Sequence, residues 1–305
     1  MDALITSLVQ ANLAPERIIP GAPMSRYTTF RVGGPADVLV DVAAAQEIPL
    51  ALRAARRAGV PVTVIGNGSN LLVRDGGVRG LVLRVGSAFS AIRREGDMLY
   101  AQAGALLSAC ARLAQREGLD GLAELAGVPG TIGGGVIMNA GAYGRELADA
   151  VARVDTVALS DGKPLAFEGD ALGFSYRHSA MMDANVVVTQ VALRLTRGDP
   201  EAIAARMEET ARLRRDKQPL EYPSAGSTFK RPAGDFAARL IDECGLRGLR
   251  VGNAQVSEKH AGFIVNLGQA RAADVLALMD EVKRRVLDKA GVLLEPEVRI
   301  LGEDA

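Results

Sequence analysis

Gly127-Val-Pro-Gly-Thr-Ile-Gly-Gly-Gly-Val-Ile-Met-Asn-Ala-Gly-Ala-Tyr-Gly144 carries seven glycines in eighteen residues. Glycine costs roughly 1 kcal/mol per helix position relative to alanine, so an ordinary helix is not expected there. Glycine is used where φ must be positive or where other atoms approach the main chain with no Cβ between them. The stretch therefore predicts backbone at close quarters, either with a flat or charged ligand or with a buried crossing of the chain's own loops.

Working outward, residues 98–103 read as a strand and 105–117 as a helix, with Leu106, Cys110, Leu113 and Ala114 at helical spacing and Gly118 as its stop. After the glycines come strands at 153–159, 164–167 and 185–195, the last too continuously apolar to be anything but interior. Upstream, residues 1–24 read as a lead-in with a short helix ending near Pro15. Residues 38–42 follow as a strand and 48–58 as a helix with solvent-facing arginines, Pro49 in its first turn and Gly59 as its cap. The β-branched run 60–65 then delivers the chain into Gly66-Asn-Gly-Ser-Asn70. This is not a dinucleotide fingerprint, because Leu71 stands in the third glycine's place and strand-like residues follow where a helix N-terminus is needed. Two readings stay open: a nest of main-chain N–H groups for phosphate oxygens, or a hairpin-type turn.

Phe174-Ser-Tyr-Arg-His-Ser179 sets Arg177 between aromatic and small polar residues before the buried run, as a functional cation or a structural ion pair. Asp199-Pro-Glu201 is a helix start, with Asp at the N-cap and Pro at the first position. That helix runs to about Lys217 and ends in Arg212, Arg214, Arg215 and Lys217, just before Ser224-Ala-Gly-Ser-Thr-Phe-Lys-Arg-Pro232. Hydroxyls, glycine and two cations in one turn suit a phosphorylated ligand. Helices follow at 234–244, capped by Gly245, and at 272–289, ended by Gly291, with a strand at 263–265 between them. Near the end, an extended reading puts Glu297 and Arg299 on one face and Val298 and Ile300 on the other.

With 305 residues, two or three domains are expected, and 48% hydrophobic against 24% charged residues marks an ordinary globular chain. Lys plus Arg and Asp plus Glu are equal at 36 each, so no global positive field draws nucleic acid or an anionic membrane. No apolar run approaches the roughly 18 residues of a membrane span. The start lacks a basic region ahead of its apolar part, and a cytoplasmic location is expected. Cys110 and Cys244 lack any Cys-x-x-Cys spacing and read as buried, reduced thiols. His178 and His260 have no second ligand at metal spacing, so no bound metal is expected.

Six blocks in order, Thr29-Phe-Arg-Val-Gly-Gly-Pro35, Gly66 to Asn70, Gly127 to Gly144, Tyr176-Arg177, Gly226-Ser-Thr-Phe-Lys230 and Glu295-Pro-Glu-Val-Arg299, resemble the UDP-N-acetylenolpyruvoylglucosamine reductases of bacterial cell-wall synthesis, known as MurB. The resemblance covers nearly the whole chain. It implies an α/β, α+β fold: an FAD-binding domain of the vanillyl-alcohol-oxidase (PCMH) type at 25–198, made of two subdomains split near 85–95, and a substrate-binding α/β domain at 199–305. It implies noncovalent FAD as cofactor, NADPH as co-substrate and UDP-N-acetylglucosamine enolpyruvate as substrate. Gly66, Asn67, Gly68, Ser69 and Asn70 would wrap the FAD pyrophosphate, with Pro129, Gly130, Thr131, Gly133, Gly134, Asn139 and Gly141 along the rest of it. By the family pattern Ser227 is the proton donor, while Arg177 and Glu297 bracket the substrate carboxylate. Lys217, Lys230 and Arg231 are candidates for the substrate diphosphate; Arg231 stands where many members have Asn. The segment between Arg177 and Ser227 is too short for the tyrosine-bearing substrate loop of one branch, which assigns the chain to the other. The alternatives are a flavin oxidase of the same fold and a noncatalytic UDP-sugar binder.

Overall fold

The computed structural model describes residues 2–305. The apolar run becomes strand Val186–Arg194, third of five in an antiparallel sheet ordered Pro164–Glu168, Val151–Ala158, Val186–Arg194, Met98–Gln102, Ile92–Glu95. Its residues are buried on both faces from Val186 to Thr189, which is why the sequence shows no alternation.

The chain divides into two compact units, and neither is one continuous stretch. The first holds Met1–Pro20, Val38–Asn67 and Gly80–Leu213; the second holds Gly21–Asp37, Gly68–Arg79 and Arg214–Ala305. A contiguous division at 198/199 therefore differs from the compact units in extent.

In the first unit, Val62–Ile65 pairs in parallel with Val78–Arg84, in register from Val62↔Leu81 to Ile65↔Arg84. Helix Glu47–Ala58 buries Ile48, Ala51, Leu52, Ala54 and Ala55, exposes its arginines, and stops at Gly59, whose φ of 66° closes the last carbonyls. Its first turn is tied by Glu47, which accepts two hydrogen bonds from Arg17 at 2.6 Å each and one from Ala43 N at 2.9 Å. The lead-in is more structured than expected. Leu4 and Leu8 of helix Asp2–Gln10 enter the same core as Ile48 and Val191, and a strand, Ile18–Pro23, follows. Helix Leu107–Arg116 starts later than predicted, and Leu106 is 43% exposed while Leu107 takes the core position.

The second unit is built on an antiparallel sheet ordered Ser224–Ser227, Phe263–Asn266, Ala254–Val256, Arg250–Val251. Helix Ala272–Ala290 lays Ala272, Val275, Leu278, Met279, Val282 and Val286 into its core, a 3.6-residue stripe ended by Gly291. Asp75 accepts from the N–H groups of Ala272 and Ala273 at 2.8 and 2.9 Å, capping that helix from a distant segment. Thr29 Oγ1 donates to Ser224 O at 2.7 Å, and Asn266 Nδ2 to Phe30 O at 3.1 Å. These bonds, with Phe30, Val32 and Leu72 in the core, draw 21–37 and 68–79 into this unit. Helix Ala237–Glu243 is shorter than the predicted 234–244. Near the end Val298 is buried, whereas Ile300 is 36% exposed and does not share its apolar face.

Candidate active site

The glycine-rich stretch contains a helix after all. Ile132–Ile137 runs through Gly133, Gly134 and Gly135, with Thr131 as N-cap accepting from Gly134 N at 3.4 Å. Packing outweighs propensity here. A Cβ on Gly133 would stand 2.7 Å from the Ala103 Cβ, and one on Gly135 would stand 2.9 Å from Leu147 Cδ1. Just before the helix, Leu107 N donates to Gly130 O at 3.1 Å, Ile132 N to Ala105 O at 2.7 Å and Gly133 N to Ala103 O at 2.9 Å. Much of the close approach that the glycines permit is thus made by the chain itself. Gly134 differs: it is exposed, and the position of its missing Cβ has nothing nearer than Thr131 Oγ1 at 3.5 Å. Gly141 is occupied in turn by its hairpin partner, since its Cβ would meet Glu146 Cγ at 2.8 Å.

The two glycine-bearing blocks meet within the first unit. A Cβ on Gly66 would lie 2.6 Å from Thr131 Oγ1, so this turn and the N-cap are in contact only because position 66 has no side chain. The hairpin reading of Gly66–Asn70 fails, because the strand before it pairs with Val78–Arg84 and the strand after it, Leu71–Val73, pairs in parallel with Arg299–Leu301. In the second unit Gly68, at φ 65°, would place a Cβ 2.1 Å from Tyr27 O. Its space is filled by the protein's own backbone.

Arg177 lies in the first unit, half-buried and at φ 56°, in a turn closed by a Ser175↔His178 bridge. Its guanidinium carbon stands 5.2 Å from the centroid of the Tyr176 ring. The turn is fastened to the end of the glycine-rich helix, where Ser179 Oγ donates to Ile137 O at 2.9 Å and Asn139 Nδ2 to Ser175 O at 3.1 Å. Asn139 is 1% exposed, and its amide also donates to Glu146 Oε2 at 2.9 Å and accepts from Ala148 N at 3.0 Å. Its side chain therefore holds the Arg177 turn.

Ser227 and Glu297 both lie in the second unit, on segments joined at Thr228, the residue that follows Ser227. Thr228 O accepts from Glu297 N at 2.8 Å, and Lys230 N donates to Glu295 O at 2.9 Å, so 228–230 and 295–297 run side by side. Ser227 stands on a bulge: Ser224 faces Val265 and Ser227 faces Phe263, which leaves one extra residue on its strand. Gly226 absorbs it at φ 75° with nothing within 4 Å of its missing Cβ, so backbone conformation is what requires glycine there. Thr228 is 4% exposed, and its Oγ1 accepts from Ile264 N at 3.0 Å. Ser227 is half-buried.

Among the predicted anion ligands, Lys230 pairs with Glu295 at 3.2 Å in an exposed contact that is individually weak. Arg231 sets its guanidinium carbon 5.1 Å from the ring centroid of Phe236, and Lys217 is exposed at the end of helix Pro200–Lys217. Lys259, which the sequence reading passed over, donates from Nζ to Arg215 O at 2.6 Å near that helix end. His260 is structural: burial holds it below the ordinary imidazole value, and its Nδ1 accepts from Gly262 N at 3.2 Å. The Cys110 thiol is pushed up to about 12 by burial, and both cysteines are free. No helix among the described residues is long and apolar enough to cross a membrane, and no cluster of three or more metal-binding side chains occurs among them.

Residues 36–168 match the family model described as an FAD binding domain, and 218–301 match the C-terminal domain of UDP-N-acetylenolpyruvoylglucosamine reductase. A Symbiobacterium thermophilum protein named UDP-N-acetylenolpyruvoylglucosamine reductase 2 is 47% identical over 290 residues, 95% of this chain and 94% of its own. The Rubrobacter xylanophilus reductase is 46% identical over 293 residues, 94% of this chain and 98% of its own. The crystal structure of the reductase (MurB) from Thermus caldophilus superposes with a TM-score of 0.80 at 42% identity, covering 93% of this chain and 98% of that one. Matched over nearly its whole length by such relatives, the chain belongs to the UDP-N-acetylenolpyruvoylglucosamine reductase family.

Proposed function

We propose that this chain is a cytoplasmic, FAD-dependent oxidoreductase that uses NADPH to reduce UDP-N-acetylglucosamine enolpyruvate to UDP-N-acetylmuramate for peptidoglycan synthesis. We assign the cofactor to 25–198 and the substrate to 199–305. The observation that supports the reading is the pairing of 228–230 with 295–297, which sets the segment that follows Ser227 beside the one that holds Glu297.

The residues fit an extended cofactor on one physical ground: exposed backbone at Gly134 adjoins Thr131, and Thr131 touches the turn at Gly66. Gly66 to Asn70 would hold the pyrophosphate through main-chain N–H groups, and Thr131 with Gly134 would line the remainder. When bound, FAD supplies the hydride relay from NADPH to the terminal enolpyruvyl carbon.

Hydride addition leaves negative charge on the carbon beside the carboxylate and on the carboxylate oxygens. Ser227 holds the proton that this carbon takes up. Arg177 presents a planar fork to the carboxylate, and Glu297 in its protonated form donates a hydrogen bond to the same anion. Lys217, Lys230 and Arg231 bind the diphosphate. The test is product analysis: incubation with NADPH and the enolpyruvyl sugar yields a product two hydrogens heavier, with one NADPH oxidised per product. NADPH oxidation that leaves the sugar unchanged and consumes oxygen overturns the reading.

A further inference from the structure

Within the second unit, Asn70 is joined to the segment that carries Glu297. Asn70 Nδ2 donates to Glu297 O at 3.1 Å, and Arg299 N donates to Asn70 O at 3.0 Å. Beyond it the two segments run as parallel strands, from Leu71↔Arg299 to Val73↔Leu301. Regular pairing starts at Arg299, so the Asn70 side chain reaches past the end of the ladder to take hold of residue 297. On its other side, Glu297 N is already held by Thr228 O at 2.8 Å. Both peptide groups of Glu297 are therefore fixed, one by the segment that carries Ser227 and the other by Asn70.

The geometry points to Asn70 as the positioning residue for Glu297. Its side-chain amide N–H fixes the rotation of the peptide that follows Glu297 and hence the direction in which the carboxyl leaves the backbone. The chemistry requires a donor at that place. Aspartate has the same shape, but it would turn a carboxylate oxygen toward the Glu297 carbonyl; alanine removes the bond and leaves a gap. The inference rests on Glu297 acting at the reacting centre, as proposed above. A nest formed by main-chain N–H groups does not need this side chain, so the amide is free to serve the carboxyl.

The experiment combines Asn70→Ala and Asn70→Asp with Glu297→Ala in a double-mutant cycle on the full protein loaded with FAD. The readout is the rate of flavin reoxidation by the enolpyruvyl sugar divided by the rate of flavin reduction by NADPH. A carboxyl displaced by about 1 Å loses roughly 10- to 100-fold, so each Asn70 variant lowers this ratio by that factor, and neither lowers it further once Glu297 is alanine. Amide hydrogen exchange supplies a measurement independent of turnover: exchange quickens across 295–301 in both Asn70 variants and stays unchanged in Phe263–Asn266. A slow Glu297→Ala whose rate falls again by the full factor on adding Asn70→Ala overturns the positioning role alone. Normal turnover by Glu297→Ala overturns the site reading and this inference with it. Unaltered exchange across 295–301 shows that Asn70 does not hold this segment and also overturns it.

Discussion

Ser227→Ala and Thr228→Val differ by one position and one hydroxyl, and the proposed roles give them opposite consequences. A positioned proton donor typically contributes about 10²- to 10⁴-fold, which at 1.36 kcal/mol per decade is roughly 3 to 5 kcal/mol of barrier. Ser227→Ala removes that donor from a half-buried bulge, so reoxidation of the flavin by the enolpyruvyl sugar slows by this factor while reduction by NADPH continues. The bulge itself is kept, because Gly226 and not the serine supplies the unusual φ. Thr228 is 4% exposed, and its hydroxyl is the acceptor for Ile264 N, itself buried. Thr228→Val strands that N–H, at a cost of about 1–3 kcal/mol in stability, and leaves the proton donor in place. Stopped-flow spectrophotometry of the two half-reactions, paired with thermal melting of each variant, separates the cases. The reasoning is refuted if Ser227→Ala reoxidises within about tenfold of the parent, or if Thr228→Val slows reoxidation as much while melting normally.

Arg177→Lys keeps the charge but loses the planar fork, so reoxidation by the sugar falls while reduction by NADPH survives; normal turnover would make Arg177 a structural cation, to be seen as a lowered melting temperature. Gly134→Ala gains roughly 1 kcal/mol of helix propensity yet weakens FAD binding, whereas Gly133→Ala collides with Ala103 and loses stability first; equal FAD affinity of Gly134→Ala and the parent, measured by equilibrium dialysis, would remove the cofactor from that face. Glu47 is held below the ordinary carboxylate value, chiefly by its hydrogen bonds from Arg17. The stability it contributes is fully present above the unfolded-state value and is lost as pH falls through the folded-state value. Glu47→Gln is therefore less stable near neutrality by about 2 kcal/mol, and the gap to the parent closes as pH falls through the folded-state value; a gap that persists in acid would show that the charge is not its source.

Legibility from sequence followed the range of the interactions. Asp199 announced its helix because an N-cap is a local bond, and its carboxylate does accept from Glu201 N and Ala202 N at 3.2 Å each. Gly59 and Gly291 announced helix ends for the same reason. The glycine-rich helix was hidden, since what permits it is Ala103 and Leu147 pressing against positions that only the folded chain brings together. The capture of Phe30, Val32 and Leu72 by the second core is likewise long-range, and no local pattern encodes it. At the site, motif resemblance pointed to Ser227, Glu297 and Arg177. The motifs also held Asn70, Asn139 and Thr228, but not their role as clasps of these segments, because their partners lie far along the chain.

The most direct test of the account is an anaerobic visible spectrum of the purified protein, taken first alone, then with NADPH, then with UDP-N-acetylglucosamine enolpyruvate. The expected result is a flavin band at the start that acid precipitation releases as FAD, bleaching with NADPH, and full return of colour on adding the sugar in the absence of oxygen. A colourless protein, or a bleached flavin that regains its colour only when air is admitted, would contradict it.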